Sequence, residues 1–441
     1  MSDRATALHK NFTGLAQQCV SSFFVCAAVE IPVNFSLPPV VRQCMIVTDN
    51  RRKGVPAMTI ASQEMIRDNN RRLVLEYIVN HPPVSRANLA KQLSLTKATI
   101  SNIVQELLEQ DLIREIGSAR TSMGRKPILL EFHKKCGAAL AIDVRPRQIS
   151  VLISDLKGED CRVKEYPFSE KDCLLDFLTE ILSENLPKYK DSPYGIVGVA
   201  VGIYGVVHQN RIRFTPYYPL PEEDLGEQLE ERFGLPVIVE NESNLSVLGE
   251  SAFHHHYKNM IHLNIHDGIG MGILINEQLY KGKDGYAGEL GHTILFPDGK
   301  PCPCGNRGCL EQYASEKAIL EAYAPQTGRE HITVDEFLKD YQDRIPEALE
   351  MMELFVKYMS IGINNLINTF NTDLIVLNSC FSNYIPDINQ RIVDCLARHQ
   401  NRDCRILPST LQDTSCLMGG IRVCAENFLD IRHLNLGNPD S

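Results

Sequence analysis

The feature that most constrains this chain is a histidine and three cysteines placed close together between residues 291 and 313. Three thiolates and one imidazole are the ligand set of a closed, four-coordinate zinc site. The segment reads GHTILFPDGKPCPCGNRGCLEQY, and its glycines give the backbone the freedom that a tight metal loop needs. Free core cysteines rarely cluster in this way, so we predict a structural zinc ion. The predicted ligands are His292, Cys302, Cys304 and Cys309.

Length and composition bound the class of protein. A chain of 441 residues with 44% hydrophobic and 23% charged residues is typical of a globular protein with two or three domains. Its 14 cysteines are too sparse for a small disulfide scaffold, which favours the reducing cytoplasm. A short apolar run at residues 20–29 resembles a secretory signal. Because export would place a cytosolic set of thiols outside the cell, we do not interpret this run as a secretory signal. We also expect no membrane partner.

Charge is distributed unevenly along the chain. Residues 62–135 carry 12 basic and 8 acidic side chains, whereas residues 136–441 carry 27 basic and 44 acidic ones. A basic N-terminal part followed by an acidic C-terminal part indicates that only the N-terminal part binds a polyanion.

Residues 62–135 follow the pattern of a winged helix-turn-helix. A helical apolar face over residues 69–80 ends before a double proline. Ser85 and Thr96 are suitable N-caps for two further helices, and the third helix has apolar residues at i, i+3, i+4, i+7 and i+8. Residues 111–132 then read as strand, basic loop, strand. The sequence therefore predicts a three-helix unit followed by a winged hairpin.

The third helix leaves a polar face near its start, and short polar side chains there can reach base edges in the major groove. Basic residues in the wing would meet phosphates or the minor groove. The alternative is a small helical domain whose polar face is merely solvated. The predicted contacts to operator DNA are Thr96, Lys97, Ser101, Asn102, Arg120, Arg125 and Lys126.

Two stretches carry a resemblance to a known family. GELGH, followed after a gap by C-x-C-G-x2-G-C-L-E, resembles the ROK family of repressors, open reading frames and sugar kinases. SRANLAKQLSLTKATISNIVQELLEQDLI, followed by GRKP, is similar to the front module of its repressor branch, and xylose-responsive repressors are the nearest subgroup. The resemblance covers residues 69–425. It implies an α/β two-lobed actin-like (ribonuclease-H-like) ROK domain, preceded by an α+β winged helix-turn-helix domain.

The resemblance also suggests domain boundaries. We expect a winged helix-turn-helix domain at residues 62–135, a sugar-binding ROK domain at 136–430 with its zinc loop at 291–313, and a tail at 431–441. Residues 1–61 are expected to be disordered or absent from the native protein. Lys53-Gly54-Val55 can be encoded by a purine-rich ribosome-binding sequence, and we hypothesise that the native chain then begins at Met58.

Four positions depart from the kinase members of the family. Residues 145–147 are Arg-Pro-Arg where a phosphate loop has glycines, and the two arginines are expected to be turn and surface residues. Glu242 stands in place of the aspartate general base, and Asp267 in place of a threonine near the phosphates. Asn378–Cys380 replace glycines that admit adenine. The comparison with the family therefore implies no catalytic residues.

The sugar side of the family's cleft is better preserved. Carboxylates there would accept hydrogen bonds from sugar hydroxyls, and His292 would bind zinc through one ring nitrogen and sugar through the other. Ordinary salt-bridging or helix-end roles for the carboxylates are the alternative. The resemblance implies a sugar site made of Gly205, Asn241, Glu242, Glu289, His292 and Glu311.

Taken together, the sequence predicts a sugar-responsive DNA-binding transcriptional repressor of carbohydrate-metabolism genes that is not an enzyme. Its effector would be a free sugar or a sugar phosphate, and its DNA heads would be paired in a homodimer or a dimer of dimers. One alternative is an ATP-dependent sugar kinase with an appended DNA-binding head. Another is a constitutive DNA-binding protein whose body only dimerises.

Overall fold

A computed structural model describes residues 63–118, 127–169, 172–215, 224–254, 257–396 and 404–436. The predicted extension at residues 1–61, with the hypothetical start at Met58, lies outside the described residues, as do Arg120, Arg125 and Lys126 of the wing loop. Among the helices of these described ranges, none is both long and apolar enough to cross a bilayer.

The predicted winged helix-turn-helix is confirmed. Its three strands form an antiparallel sheet in the order β1-β3-β2. The Ser85 and Thr96 hydroxyls accept hydrogen bonds from the backbone of the first turns that follow them, which makes both residues the N-caps that the sequence predicts. The elements are α1 (Gln63–Asn80), β1 (Val84–Ser85), α2 (Arg86–Gln92), α3 (Lys97–Glu109), β2 (Ile113–Ser118) and β3 (Ile128–Phe132).

The first lobe is built on a five-stranded sheet in the order β10-β7-β4-β5-β6. Strands β4, β5 and β6 are antiparallel, whereas β7 is parallel to β4 and β10 is parallel to β7. Its elements are β4 (Ala138–Arg145), β5 (Gln148–Asp155), β6 (Arg162–Pro167), α4 (Leu174–Asn185), β7 (Ile196–Ile203), β8 (Val206–His208), β9 (Arg211–Phe214), α5 (Leu225–Phe233), β10 (Val237–Asn241) and α6 (Glu242–Ser251).

The second lobe repeats this topology with a sheet in the order β13-β12-β11-β14-β15, again with three antiparallel strands followed by two parallel ones. Two lobes of the same α/β topology are what the predicted actin-like fold requires. The elements are β11 (Met260–Ile265), β12 (Ile269–Ile275), β13 (Gln278–Leu279), α7 (Glu311–Ala314), α8 (Glu316–Tyr323), α9 (Val334–Gln342), α10 (Pro346–Phe370), β14 (Leu374–Asn378), α11 (Cys380–Tyr384), α12 (Ile388–Cys395), β15 (Arg405–Pro408) and α13 (Ser415–Leu429).

Helices α6 and α13 connect the two sheets. Helix α13 packs on β4 and β7 of the first sheet, and α6 packs on β11 and β12 of the second. The two helices also touch each other closely, because a side chain at Gly419 would overlap the carbonyl oxygen of Leu245. A side chain at Gly249 would likewise overlap the carbonyl oxygen of Ser415. Glycine at these crossings therefore brings the two lobes together along one helix pair.

Candidate functional site

A cleft of about 1030 Å³ lies between the two lobes. It is bounded by the β4–β5 turn, the residues that follow β7, the start of α6, the β11–β12 turn and the starts of α7, α8 and α11. All of the residues predicted for the sugar site line this one cleft. They are Gly205, Asn241, Glu242, Glu289, His292 and Glu311.

Asn241 joins one wall of the cleft to the helix that follows it. Its Oδ1 accepts the backbone amides of Ser243 at 2.9 Å and Asn244 at 3.0 Å, which caps α6. Its Nδ2 donates to the Gly205 carbonyl at 2.8 Å and to Oε2 of Glu242 at 2.9 Å. Its Nδ2 therefore positions two groups of the cleft, while its Oδ1 holds the first turn of α6.

Glu242 is a buried carboxyl group at the start of α6, with 5% of its surface exposed. Burial raises its pKa to about 7, and the negative charges of Asp143 and Glu289 act in the same direction. Its Oε1 accepts the Ser243 hydroxyl at 2.5 Å. A carboxyl that gains and loses its proton near neutral pH can both accept a hydrogen bond from a hydroxyl group and donate one to it.

His292 lies between the cleft and the cysteine cluster. Its Nε2 is 3.7 Å from Oε2 of Glu289 on the cleft side. Its Nδ1 is 3.6 Å from Sγ of Cys302 and 3.4 Å from Oε1 of Glu311. Burial raises the pKa of Glu289. Nε2 therefore faces Glu289, whereas Nδ1 faces both Cys302 and Glu311.

The four predicted metal ligands form one compact group that can hold a metal ion. One ligand atom from each of His292, Cys302, Cys304 and Cys309 lies within 4.8 Å of the others. Sγ of Cys304 and Sγ of Cys309 are 3.7 Å apart. With zinc–sulfur bonds of about 2.3 Å, tetrahedral ligands stand about 3.8 Å apart, so the thiols fit such an ion.

The backbone of the loop is shaped for this cluster. The Cys302 amide donates to the Asn306 carbonyl at 2.9 Å, and the Gly305 amide donates to the Cys302 carbonyl at 3.0 Å. Gly308 has φ of +80°, and a side chain there would overlap the Phe296 carbonyl. The loop therefore closes around the thiols through its own hydrogen bonds.

The β4–β5 turn differs from what the sequence predicts. Arg147 is exposed, as expected, whereas Arg145 is half-buried and lines the cleft. Nε of Arg145 donates to Oδ2 of the fully buried Asp143 at 2.9 Å, and Nη1 donates to Oδ1 of Asp413 at 3.0 Å. The physical reason is that a buried carboxylate needs a cation, and Arg145 is the neighbour that supplies it.

Sequence reasoning also does not identify Glu316. Its Oε1 accepts the backbone amide of Cys380 at 2.5 Å at the start of α11, and its Oε2 is 3.5 Å from Nδ1 of His266. Burial lowers the pKa of His266, but its contact with Glu316 outweighs that and raises the pKa overall. Asn378 donates to Oδ1 of Asn264 at 2.9 Å. No local sequence pattern signals these contacts, because the partners are far apart along the chain.

The predicted DNA face lies on α3. Its apolar stripe is buried, and the polar residues predicted to read DNA are exposed on the opposite side. Thr96 also caps the helix through its hydroxyl, which accepts the Thr99 amide at 3.1 Å. The predicted DNA-contact residues that are exposed here are Thr96, Lys97, Ser101 and Asn102.

Comparisons with known proteins agree with this architecture. A model of the ROK family matches residues 139–426, and a model of the MarR family matches residues 69–121. The xylose repressor of Bacillus spizizenii is 34% identical over 394 residues, which cover 85% of this chain and 99% of that protein. The xylose repressor of Bacillus subtilis is 31% identical over 383 residues, with coverage of 85% and 99%.

A solved structure extends the likeness to three dimensions. The crystal structure of a ROK family transcriptional regulator, described as a homologue of the Escherichia coli MLC protein, superposes with a TM-score of 0.71 at 26% identity. It covers 82% of this chain and 96% of that one. The predicted family and fold class are thus confirmed. Because the family model and full-length relatives both match most of the sequence, the chain belongs to the ROK family.

Proposed function

We propose that this protein is a sugar-responsive transcriptional repressor of carbohydrate-metabolism genes. The observation that carries the proposal is the union of two features in one chain. An exposed polar face on α3 suits a major groove, and the cleft combines several carboxylates with a guanidinium and a backbone amide that the protein's own carboxylates already pair. The similarity to repressors named for xylose supports the same conclusion.

The arrangement of charges in the cleft disfavours phosphoryl transfer. A kinase cradles phosphates with free backbone amides and cations. Here the Arg145 guanidinium is paired with Asp143 and Asp413, and the Cys380 amide is paired with the Glu316 carboxylate. Asp267 is exposed at the cleft and would repel a triphosphate. We therefore infer that the protein is not an enzyme.

The sugar would bind against the carboxyl groups of Glu242, Glu289 and Glu311 and the imidazole of His292. These groups come from both lobes, so a ligand that contacts all of them would favour one arrangement of the lobes. Because DNA binding by a dimer depends on the spacing of its two heads, a change between lobes can change affinity for paired half-sites. D-xylose is the first effector to test, in view of the relatives' names.

We propose that the bound metal is zinc with a structural role. His292, Cys302, Cys304 and Cys309 would hold it, and their thiol-rich chemistry suits zinc rather than a hard cation. Zinc supplies positive charge that keeps the ligating thiols deprotonated. With Nδ1 of His292 directed to the cysteines, its Nε2 is left to face the sugar.

The remaining partners follow from this function. Operator DNA would be bound by two α3 helices in a homodimer or a dimer of dimers. The reducing cytoplasm is the compartment in which the exposed Cys304 thiol stays available to the metal.

The experiment that tests the proposal is a DNA-binding titration with a duplex from the promoter region beside the gene. We expect D-xylose to change the dissociation constant for that duplex by about 5- to 150-fold. A coupled assay with ATP and a panel of pentoses and hexoses should show no turnover. Sustained turnover would favour the kinase alternative, and a DNA affinity that no sugar changes would favour a constitutive DNA-binding protein.

A further inference from the structure

Asn80 joins the DNA-binding head to the C-terminal end of the chain. It is the last residue of α1, and its Nδ2 donates to the carbonyl of His433 at 2.7 Å. Its Oδ1 accepts the backbone amide of Asn435 at 2.9 Å. One side-chain amide thus makes paired hydrogen bonds to a backbone more than 350 positions away along the sequence.

The backbone that Asn80 contacts belongs to residues 430–436, which we name the C-terminal segment. Glu76 of α1 accepts the Arg432 amide at 3.0 Å. Leu434 and Leu436 are 0% and 3% exposed and belong to the same apolar core as buried residues of α1. The segment that the sequence suggests is a tail is therefore packed into the base of the head.

The first lobe also contacts this junction between the DNA-binding head and the C-terminal segment. Lys157, in the β5–β6 turn, donates from Nζ to the Val79 carbonyl at 3.2 Å and to the Asn435 carbonyl. Val79 lies in the last turn of α1, where helix carbonyls lack partners within the helix. Burial lowers the pKa of Lys157 to about 8. Head, body and C-terminal segment therefore meet around one ammonium group.

The C-terminal segment also continues directly from α13, whose other end lies at the cleft. Leu434 donates its amide to Oε1 of Glu426 at 2.8 Å, which ties the segment back to that helix. Asp413 precedes α13 and accepts the guanidinium of Arg145 in the cleft wall. A 15-residue helix is about 22 Å long. Helix α13 and the C-terminal segment thus form a continuous run of chain from the cleft to the head.

We propose that Asn80 and the C-terminal segment couple the sugar cleft to the DNA-binding head, an inference that rests on the proposed function. The apolar contacts of Leu434 and Leu436 hold the head in place, whereas the directional hydrogen bonds of Asn80 fix its angle to α13. A shift of α13 caused by a ligand in the cleft then moves the head. Asn80 is a positioning residue, since it contributes to neither the exposed α3 face nor the cleft lining.

The test is the ratio of DNA dissociation constants with and without D-xylose, measured on the full chain. Asn80→Ala removes both hydrogen bonds, and we expect it to bring a wild-type ratio of about 5 to 150 close to one. Its affinity for D-xylose should stay near the wild-type value. Asn80→Asp keeps the size and the acceptor for the Asn435 amide but loses the donor, so its ratio should be intermediate.

The matched control is Asn69→Ala on the same helix. The Asn69 side chain accepts Arg72 on an exposed face away from the C-terminal segment, so this variant should keep the wild-type ratio. A folded Asn80→Ala protein with the full wild-type ratio would overturn the inference and leave the proposed function intact. A wild-type ratio of one with D-xylose and with every other sugar of the panel would overturn both.

Discussion

Arg145 and Asp413 meet across 268 positions of the sequence, with Nη1 of the arginine 3.0 Å from Oδ1 of the aspartate. The same guanidinium neutralises Asp143, which has no exposed surface. The side chain of Asp413, by contrast, is 74% exposed. The buried Asp143 therefore needs the arginine as its cation, whereas water can replace the exposed Asp413 as a partner of the arginine.

Replacing Arg145 by alanine should destabilise the protein. The change leaves the Asp143 carboxylate buried without its cation, and breaking a buried pair from one side costs about 3 kcal/mol. Urea denaturation should show this loss in the free energy of unfolding. The variant should also remain without ATP turnover in a coupled assay, because the other departures from a kinase cleft are unchanged.

The matched control for that measurement is Asp413→Ala. Its carboxylate is mostly exposed, so an ion pair with it contributes less than about 1 kcal/mol. If this variant lost as much stability as Arg145→Ala, the asymmetry between the two partners would be refuted.

Local patterns account for the parts of the fold that the sequence predicts well. The caps Ser85 and Thr96 and the apolar stripe of α3 depend on residues a few positions apart, and the ligands of the metal loop all lie within one short segment, residues 292–309. Helix and turn chemistry acts over that range, so spacing alone identifies these features.

Contacts between distant segments account for what the sequence does not predict. From the sequence alone Arg145 is an ordinary turn arginine, and only the folded structure shows that Asp413, just before α13, contacts it. From the sequence alone Glu316 is an ordinary acid in the first turn of α8. In the structure its carboxylate accepts a backbone amide from the start of α11. Such pairs are set by how the two lobes pack, and no periodicity of one segment encodes them.

Cys309→Ala should remove the metal. The purified wild-type chain should contain about one zinc ion, measured by elemental analysis, and the variant should contain close to none. Because structural zinc contributes to folding, the variant should also unfold at a lower temperature. Treatment of the wild type with a strong chelator should lower its unfolding temperature in the same way.

Cys395→Ser is the control for the metal measurement, because this cysteine is exposed and lies outside the ligand group. It should retain both the zinc content and the unfolding temperature of the wild type. A wild-type chain purified without any metal would contradict the structural role of the cluster.

Glu242 should make stability fall as pH rises from about 4.5 to about 7. Its folded-state pKa of about 7 lies above its unfolded value of 4.5, so the native state binds more protons between these values. The penalty is absent below pH 4.5 and complete above pH 7, where it is about 3 kcal/mol. Glu242→Gln removes the ionisation and should gain stability over the wild type as pH rises through this window.

The measurement is the difference in unfolding free energy between Glu242→Gln and wild type at several pH values. Other titrating groups, including those of the metal loop, are common to both proteins and cancel in the difference. A flat profile for Glu242→Gln would show that this carboxyl is not perturbed by burial.

Asn102→Ala should weaken binding to operator DNA while leaving stability unchanged. The side chain is exposed on α3, and a lost base contact costs about 1–3 kcal/mol, or roughly 5- to 150-fold in affinity. Lys97→Ala should show a similar selective loss, and Glu109→Gln, at the far end of the same helix, should show none.

Arg125→Ala in the wing loop should instead weaken binding to all DNA and reduce the salt slope by about one. Equal losses on specific and unrelated DNA for all of these variants would mean that α3 does not read bases.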